Sequence, residues 1–352
     1  MSKILNLKNF LSLSGYLKNR IDYLQGAGGN ISEKIDGEVM VIKSSGVEIK
    51  EINQKYGYSL VRFKNIRDEF SKLPLKITKK QDERTVSFIN NQVINLSNYK
   101  SLRPSIETGF HSILKKNVIH THSVYSNILT CSKSFEDLTK KLFKNDNFIN
   151  IQYFPPGTIL TKNILLEYNN FFLINKKYPE IIFLKNHGII VHAETSKKAI
   201  EIHEHVTKKL CDYFKFITTD FPKVNLKEKT ASNFESSNSF LLNHFKNNEL
   251  INQEHFNQTL FPDQTVYFKE NISFEKTENK KVIIQKDKII YNTNFKEANT
   301  IEETLIAYVF IRMNIEKAKL QCSFISKKEM NYIHDLESEK YRKKNANQII
   351  CK

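Results

Sequence analysis

The sequence predicts an α/β chain with a small α+β domain at its C-terminal end. Three observations carry this. Apolar residues recur at helical spacing over residues 4 to 24. Short β-branched runs ("EVMVIKSSG", "NVIHTH", "EIIFLKNHGIIVHAE") alternate with helical stretches. From about residue 226 the chain turns polar and interrupted before new strands and helices begin.

Taken in order, Leu7, Phe10, Leu11, Leu17, Ile21 and Leu24 line one stripe and predict an amphipathic helix. "GAGGN" (26–30) breaks it. "EVMVIKSSG" reads as a strand ending in a turn, "SLVRF" (59–63) as another, and "DERTVSFI" fits either type. A helix is predicted over 105–116, "SIETGFHSILKK", with Glu107, Phe110, Ile113 and Leu114 along one side and Ser105 as N-cap. "NVIHTH" follows as a strand, and "EIIFLKNHGIIVHAE" as two strands joined through Asn186, His187 and Gly188. A long helix opens at Thr195 and buries Ala199, Ile202, Val206, Leu210, Tyr213 and Ile217.

"LKEKTASNFESSNS" reads as a linker, which divides the chain into a first domain over 1–225, a linker over 226–258 and a C-terminal domain over 259–352. In the last, "TVYF" (265–268), "KVIIQ" (281–285) and "KIIYN" (288–292) are strand candidates, the latter two meeting across Lys286–Asp287. Two helices end the chain, the second opening with Ser326 and Glu329 at capping-box spacing.

With 352 residues and 40% hydrophobic content, sizeable cores are affordable. No stretch approaches the roughly 20 apolar residues of a membrane span. "MSKILNLKNF" lacks the apolar run of a signal peptide. Cys131, Cys211, Cys322 and Cys351 are scattered, without a CxxC pair, and read as reduced thiols of a cytoplasmic protein. A net charge of +16 is explained by a Lys-, Asn- and Ile-rich bias over solvated faces. Nucleic-acid binding would call for a basic block with interleaved aromatics, which is absent. Attraction of anionic small substrates is the third reading.

The chemistry concentrates in a few segments. His120 and His122, at i and i+2 of a strand, project from one face. Alone they fit a metal site less well than ordinary buried or exposed histidines. His187, beside the turn-permitting Gly188, supplies a third imidazole, and three protein ligands leave a catalytic zinc one open position. Glu107, on a helix running into the His120 strand, is either a general acid/base or a helix-start carboxylate favoured by the dipole. "GAGGN" and "KSSG" are glycine turns that make an anion cradle or ordinary turns. The glycines are not a dinucleotide fingerprint, because they follow a helix whereas that motif follows a strand. His111, one turn past Glu107, is a candidate to line the same site, whereas His192, His203 and His205 read as surface residues.

In chain order, "GGNIS" (28–32), "IKSSG" (42–46), "PSIETGFH" (104–111), "VIHTHS" (118–123) and "KNHGIIV" (185–191) resemble the class II aldolase/adducin superfamily over roughly residues 5 to 220. The resemblance implies an αβα sandwich around a mainly antiparallel sheet, assembled as a homotetramer. It implies that His120, His122 and His187 bind Zn2+ or another divalent metal, and that Glu107 is the catalytic acid/base. Gly29, Asn30, Ser45, Gly46 and Ser105 would surround a substrate phosphate. One departure is Ile106, where phosphate-binding members often have a second serine; it removes a hydroxyl donor.

"LFPDQTVYF" (260–268) and "ESEKYRKK" (337–344) resemble the tail of a branch in which the aldolase-like domain is, in some members, fused to a short-chain dehydrogenase. No strand–GxxxGxG–helix unit occurs, so no nicotinamide cofactor is expected. The tail reads as a packing or oligomerisation element. A tyrosine from a neighbouring subunit often assists such reactions, and Tyr125 or a C-terminal tyrosine could serve, with nothing in the sequence selecting one.

The implied activity is reversible aldol cleavage of a sugar or sugar phosphate through a metal-stabilised enediolate. A sugar-phosphate 4-epimerase or dehydratase on the same fold, and a non-catalytic adducin-like interaction module, are the alternatives. Neither a nucleic-acid nor a membrane partner is expected.

Overall fold

The computed structural model describes residues 6–247, 253–268, 271–275 and 280–335. Eight strands form the larger sheet: β1 (Asn30–Lys34), β2 (Val39–Lys43), β3 (Tyr58–Arg62), β4 (Val93–Ile94), β5 (Asn117–Thr121), β6 (Phe148–Ile151), β7 (Ile181–Leu184) and β8 (Gly188–Ala193). Their order is β4-β3-β2-β1-β5-β8-β7-β6, antiparallel at every step except β6–β7. The mainly antiparallel sheet that the family resemblance implies is present.

Strand alternation sends apolar residues to both faces. Ile31, Ile119 and Val191 join Phe10, Leu13, Ile202 and Val206 from helices Lys8–Leu17 and Ser196–Phe214. On the opposite face Val118, Ile182 and Ile190 meet Phe110, Leu160 and Ile164 from helices Thr108–Ile113 and Thr158–Asn175. Burying one Leu or Ile side chain contributes about 1.5–3 kcal/mol, so this double-sided packing fixes the strand register. That register sets Asn30 opposite His120, and His120 opposite Ile190.

The second sheet contains β9 (Leu226–Thr230), β10 (Asn233–Ser236), β11 (Ile272–Ser273), β12 (Val282–Ile284) and β13 (Ile289–Tyr291), ordered β11-β12-β13-β10-β9. Helix Phe295–Lys317 carries buried residues all round, Ile301, Leu305, Tyr308 and Ile311 among them. One continuous cluster of buried apolar side chains runs from Leu7 to Ile315 and joins this region to the first sheet.

Several elements differ from the sequence reading. The first helix spans only Lys8–Leu17, because the chain turns at Asn19 (φ 63°) and the Arg20–Asp22 ion pair at 2.6 Å holds the turn. "DERTVSFI" is helical within Lys79–Asn91, opened by a Thr78–Gln81 capping box. The helix expected over 105–116 is confined to Thr108–Ile113, with Glu107 rather than Ser105 at its N-cap. "TVYF" is not a strand. Pro262 starts a helix, Pro262–Tyr267, and Gln264 Oε1 accepts from the Leu260 and Phe261 N–H groups at 2.6 and 3.3 Å. Within the stretch read as a linker, β9 and β10 pair with each other, and β10 pairs with β13. Their alternation is hidden because Ser236 shares the buried face with Phe234. The hairpin of β12 and β13 and the Ser326–Glu329 capping box follow the sequence. "ESEKYRKK" and Cys351 lie outside the described residues.

Candidate metal centre and active site

Each candidate ligand is placed by a different local device. His120 stands at the end of β5, between β1 and β8, and His122 leaves the same strand edge two residues later. His187 lies in the tight connection between β7 and β8. There Asn186 is left-handed (φ 53°), and a Cβ on Gly188 would come 2.2 Å from the Thr121 carbonyl oxygen. That connection therefore requires glycine.

The three imidazoles converge. Every pair of ring centroids is 5.0 Å apart, the candidate ligand atoms lie within 4.8 Å of one another, and all three residues are buried. His120 Nδ1 donates to the Ile189 carbonyl at 3.0 Å, and His122 Nδ1 donates to the Asp263 carboxylate. Both acceptors accept a hydrogen bond and donate none, so each Nδ1 bears the hydrogen and, in the neutral imidazole, Nε2 is the atom left with the lone pair. These two Nε2 atoms face each other at 3.2 Å. Tetrahedral zinc–nitrogen bonds of about 2.0–2.1 Å place ligand nitrogens about 3.3 Å apart. Burial pushes the His120 imidazole down to about 4, against the opposing pull of the Glu107 carboxylate. It is therefore an uncharged imidazole at neutral pH. Two further buried carboxylates, Glu107 and Asp263, favour a cation beside them. The donor set fits a divalent metal.

Glu107 faces the same point. Its Oε2 lies 3.5 Å from His120 Nε2, and its Oε1 lies 3.5 Å from His187 Nε2. Asn30 Nδ2 donates to Oε2 at 2.6 Å, while Oε1 accepts no hydrogen bond among the described residues. A buried carboxylate oxygen without a donor is costly in a purely structural site. Here it faces His187 Nε2 across 3.5 Å.

A chain of hydrogen bonds sets the Asn30 amide. Ser32 Oγ donates to His111 Nδ1 at 2.6 Å, and His111 Nε2 donates to Asn30 Oδ1, so Asn30 Nδ2 is turned to Glu107. Burial holds the His111 imidazole well below its ordinary value, consistent with this neutral tautomer. Ser105 Oγ accepts from Asn30 Nδ2 and from the Glu107 N–H, both at 3.2 Å. Gly29, Ser45 and Gly46 line the same pocket, and so do Asn30, Ser105 and Glu107. Ile106 lines it too, packed at the Pro156–Gly157 turn, where a Cβ on Gly157 would meet it at 3.1 Å. An apolar contact stands in place of the second hydroxyl.

Two residues of the site were not found from the sequence. Lys43 lines the pocket, its ammonium donating to the Ala27 and Val47 carbonyls at 3.1 and 2.7 Å. Its place at the inner end of β2, beside "SSG", was the available signal. Asp263 carried no local signal, because its partner lies 141 residues away. Other expectations are corrected. Tyr125 is 1% exposed, packs against Tyr23, Phe216 and Phe310, and is not among the residues that line the Glu107 pocket. His192 and His203 are not surface residues. His192 lies against Tyr168, and His203 bonds Tyr16 and Thr121. Burial pushes both down to about 3. His205 is exposed as expected, 2.9 Å from Asp146.

The family model described as Class II Aldolase and Adducin N-terminal domain matches residues 17–212. Among solved structures, the chain is similar to the N-terminal class II aldolase domain of a conserved protein from Thermoplasma acidophilum, with 24% identity and a TM-score of 0.49 over 59% of this chain and 93% of that one. It is also similar to a sugar-phosphate aldolase from Thermotoga maritima, at 12% identity and a TM-score of 0.42 over 61% and 95% of the two chains. An L-fuculose 1-phosphate aldolase from Glaciozyma antarctica PI12 aligns over 89% of this chain and 91% of its own, with 10% identity and a TM-score of 0.38. No curated protein matches the sequence.

Proposed function

The chain belongs to the class II aldolase and adducin N-terminal domain family, and from that premise we propose that it is a metal-dependent aldolase, with zinc as the metal, acting on a sugar or sugar phosphate. The observation that carries the proposal is the Glu107 carboxylate, set 3.5 Å from the Nε2 atoms of both His120 and His187 with one oxygen left over. A binding module has no need for a buried carboxylate held open against two of three converging imidazoles.

In this reading His120, His122 and His187 hold the cation through Nε2. A divalent cation bound there supplies Lewis-acid stabilisation of the negative charge that carbon–carbon cleavage leaves on the substrate oxygens. Glu107 Oε1 takes or returns the proton at the adjacent carbon. Asn30 keeps Oε2 occupied, so that Oε1 is the oxygen that reacts. The turn at Ser45–Gly46, with Gly29, Asn30 and Ser105, receives the anionic end of the substrate, and the Lys43 ammonium beneath it favours negative charge there. Loss of the second hydroxyl at Ile106 makes a carboxylate or unphosphorylated sugar as suitable as a phosphate. The proposal places the protein in the cytoplasm as a homo-oligomer, a tetramer by family habit. No helix among the described residues is long and apolar enough to cross a membrane.

The test combines metal analysis of the purified protein with a screen of ketoses and ketose phosphates for aldehyde release. Aldehyde release that Glu107→Gln abolishes while metal is retained is the expected result. A sugar-phosphate 4-epimerase or a dehydratase would turn over without releasing an aldehyde, and an adducin-like module would not turn over at all.

A further inference from the structure

The segment "LFPDQTVYF" has no part in the reaction just described, yet it lies against the metal centre. Helix Pro262–Tyr267 presents Asp263, a fully buried carboxylate, to His122 Nδ1. Gly28 leaves the room for this approach: a Cβ there would sit 3.0 Å from His122 Nδ1 and 3.2 Å from Asp263 Oδ1. Gln264 closes the first turn of the same helix through the Leu260 and Phe261 N–H groups, which fixes where Asp263 points.

A second attachment lies beside His187. Asn186 Nδ2 donates to the Leu260 carbonyl at 2.8 Å and to the Ser323 carbonyl at 2.7 Å. Cys131 and Ser323 are joined by a backbone hydrogen bond at 2.7 Å, which ties residues 320–325 to the loop after helix Val124–Thr130. The C-terminal region therefore touches the surroundings of two of the three histidines, from sequence well outside the matched family segment 17–212.

We propose that Asp263 is a positioning residue of the metal centre: its carboxylate, delivered by the C-terminal region, fixes the tautomer and ring direction of His122 so that Nε2 faces the ion. The C-terminal region is thus part of the metal site rather than packing alone. The proposal rests on the metal reading of the His triad and is independent of which reaction the site performs.

A carboxylate on the far nitrogen of a ligating imidazole orients the ring and raises its basicity, and losing such a partner typically weakens metal binding 10–100-fold. The test uses the full chain, with Asp263→Asn, Asp263→Ala and Gly28→Ala. Zinc affinity is read by chelator competition, the Co(II)-substituted protein by visible absorption, and the metal-free protein by thermal unfolding. Asp263→Ala is expected to weaken zinc about 10–100-fold and to shift the Co(II) bands. Asp263→Asn keeps an acceptor of the same shape without the charge, so it should fall between wild type and Asp263→Ala. Gly28→Ala, which crowds the contact while leaving both partner side chains chemically unchanged, should lower affinity as well. Wild-type zinc affinity and unchanged Co(II) bands in both Asp263 variants would overturn the proposal, even if their metal-free forms melted earlier. Failure of wild type itself to bind zinc or Co(II) would instead overturn the metal reading on which it stands.

Discussion

His120 and His122 are two residues apart, yet the groups that aim them come from different parts of the chain. His120 is held by the Ile189 carbonyl of the adjacent strand, inside the matched family segment; His122 is held by Asp263, beyond it. The first region thus supplies every proposed ligand and the proton-transfer carboxylate on a sheet whose register backbone pairing fixes. The second supplies support: a carboxylate for one ligand, carbonyls for the residue before another, and a large share of the common core. The difference teaches that reacting groups can be carried by a conventional scaffold while their aim depends on a distant one.

The sharpest test of this division is Glu107→Gln. General acid–base groups contribute about 10²–10⁴-fold, so kcat should fall by that factor with metal content and thermal midpoint near wild type. A variant at full activity would remove Glu107 from the mechanism. In the second region, Glu302→Gln should alter stability without altering kcat. Burial raises the Glu302 carboxyl to about 7, offset by the Asn225 N–H that donates to it at 2.9 Å. The folded state then holds one more proton than the unfolded state between the unfolded value of 4.5 and about 7, so stability falls as pH rises through that window. The wild type should lose about 3 kcal/mol across it that the variant retains. Urea unfolding at each end of the range checks this, and parallel curves would contradict it.

Back in the first region, Asn30→Ala removes the donor to Glu107 Oε2 and strands the His111 and Glu107 partners. An unsatisfied buried group costs about 1–3 kcal/mol, and kcat should fall while the metal stays. Equal loss of metal would mean that Asn30 holds the triad rather than Glu107. The smallest effect is expected from Ser326→Ala, which breaks the capping box with Glu329. It should cost about 1 kcal/mol, seen as a lower unfolding midpoint with unchanged zinc affinity.

The sequence made the first region legible and the second only partly so, for a physical reason. His120, His122, His187 and Glu107 sit in segments whose strand or turn character is written locally, and their convergence follows once β1, β5 and β8 are neighbours. Asn30 and Ser105 were found with them, although Ser105 turned out to accept from Glu107 and Asn30 rather than cap a helix. Asp263 was invisible because a contact across 141 residues leaves no periodicity behind. "TVYF" was misread since its β-forming residues are overridden by Pro262 and by the Gln264 side chain at the start of a helix. The same holds for β10, where a polar Ser236 occupies a buried position and masks the alternation. His192 and His203 were misjudged because helix and strand faces can bury an imidazole when burial keeps it neutral.

The central claim is that the imidazoles of residues 120, 122 and 187 share one divalent ion. Elemental analysis of the full chain, loaded with zinc and then desalted, tests it most directly. The account predicts about one zinc per chain in the wild type and almost none when His187 or His122 is replaced by Ala, given the three-ligand requirement of such a site. Wild-type protein that keeps no metal, or His→Ala variants that keep a full complement, would contradict it.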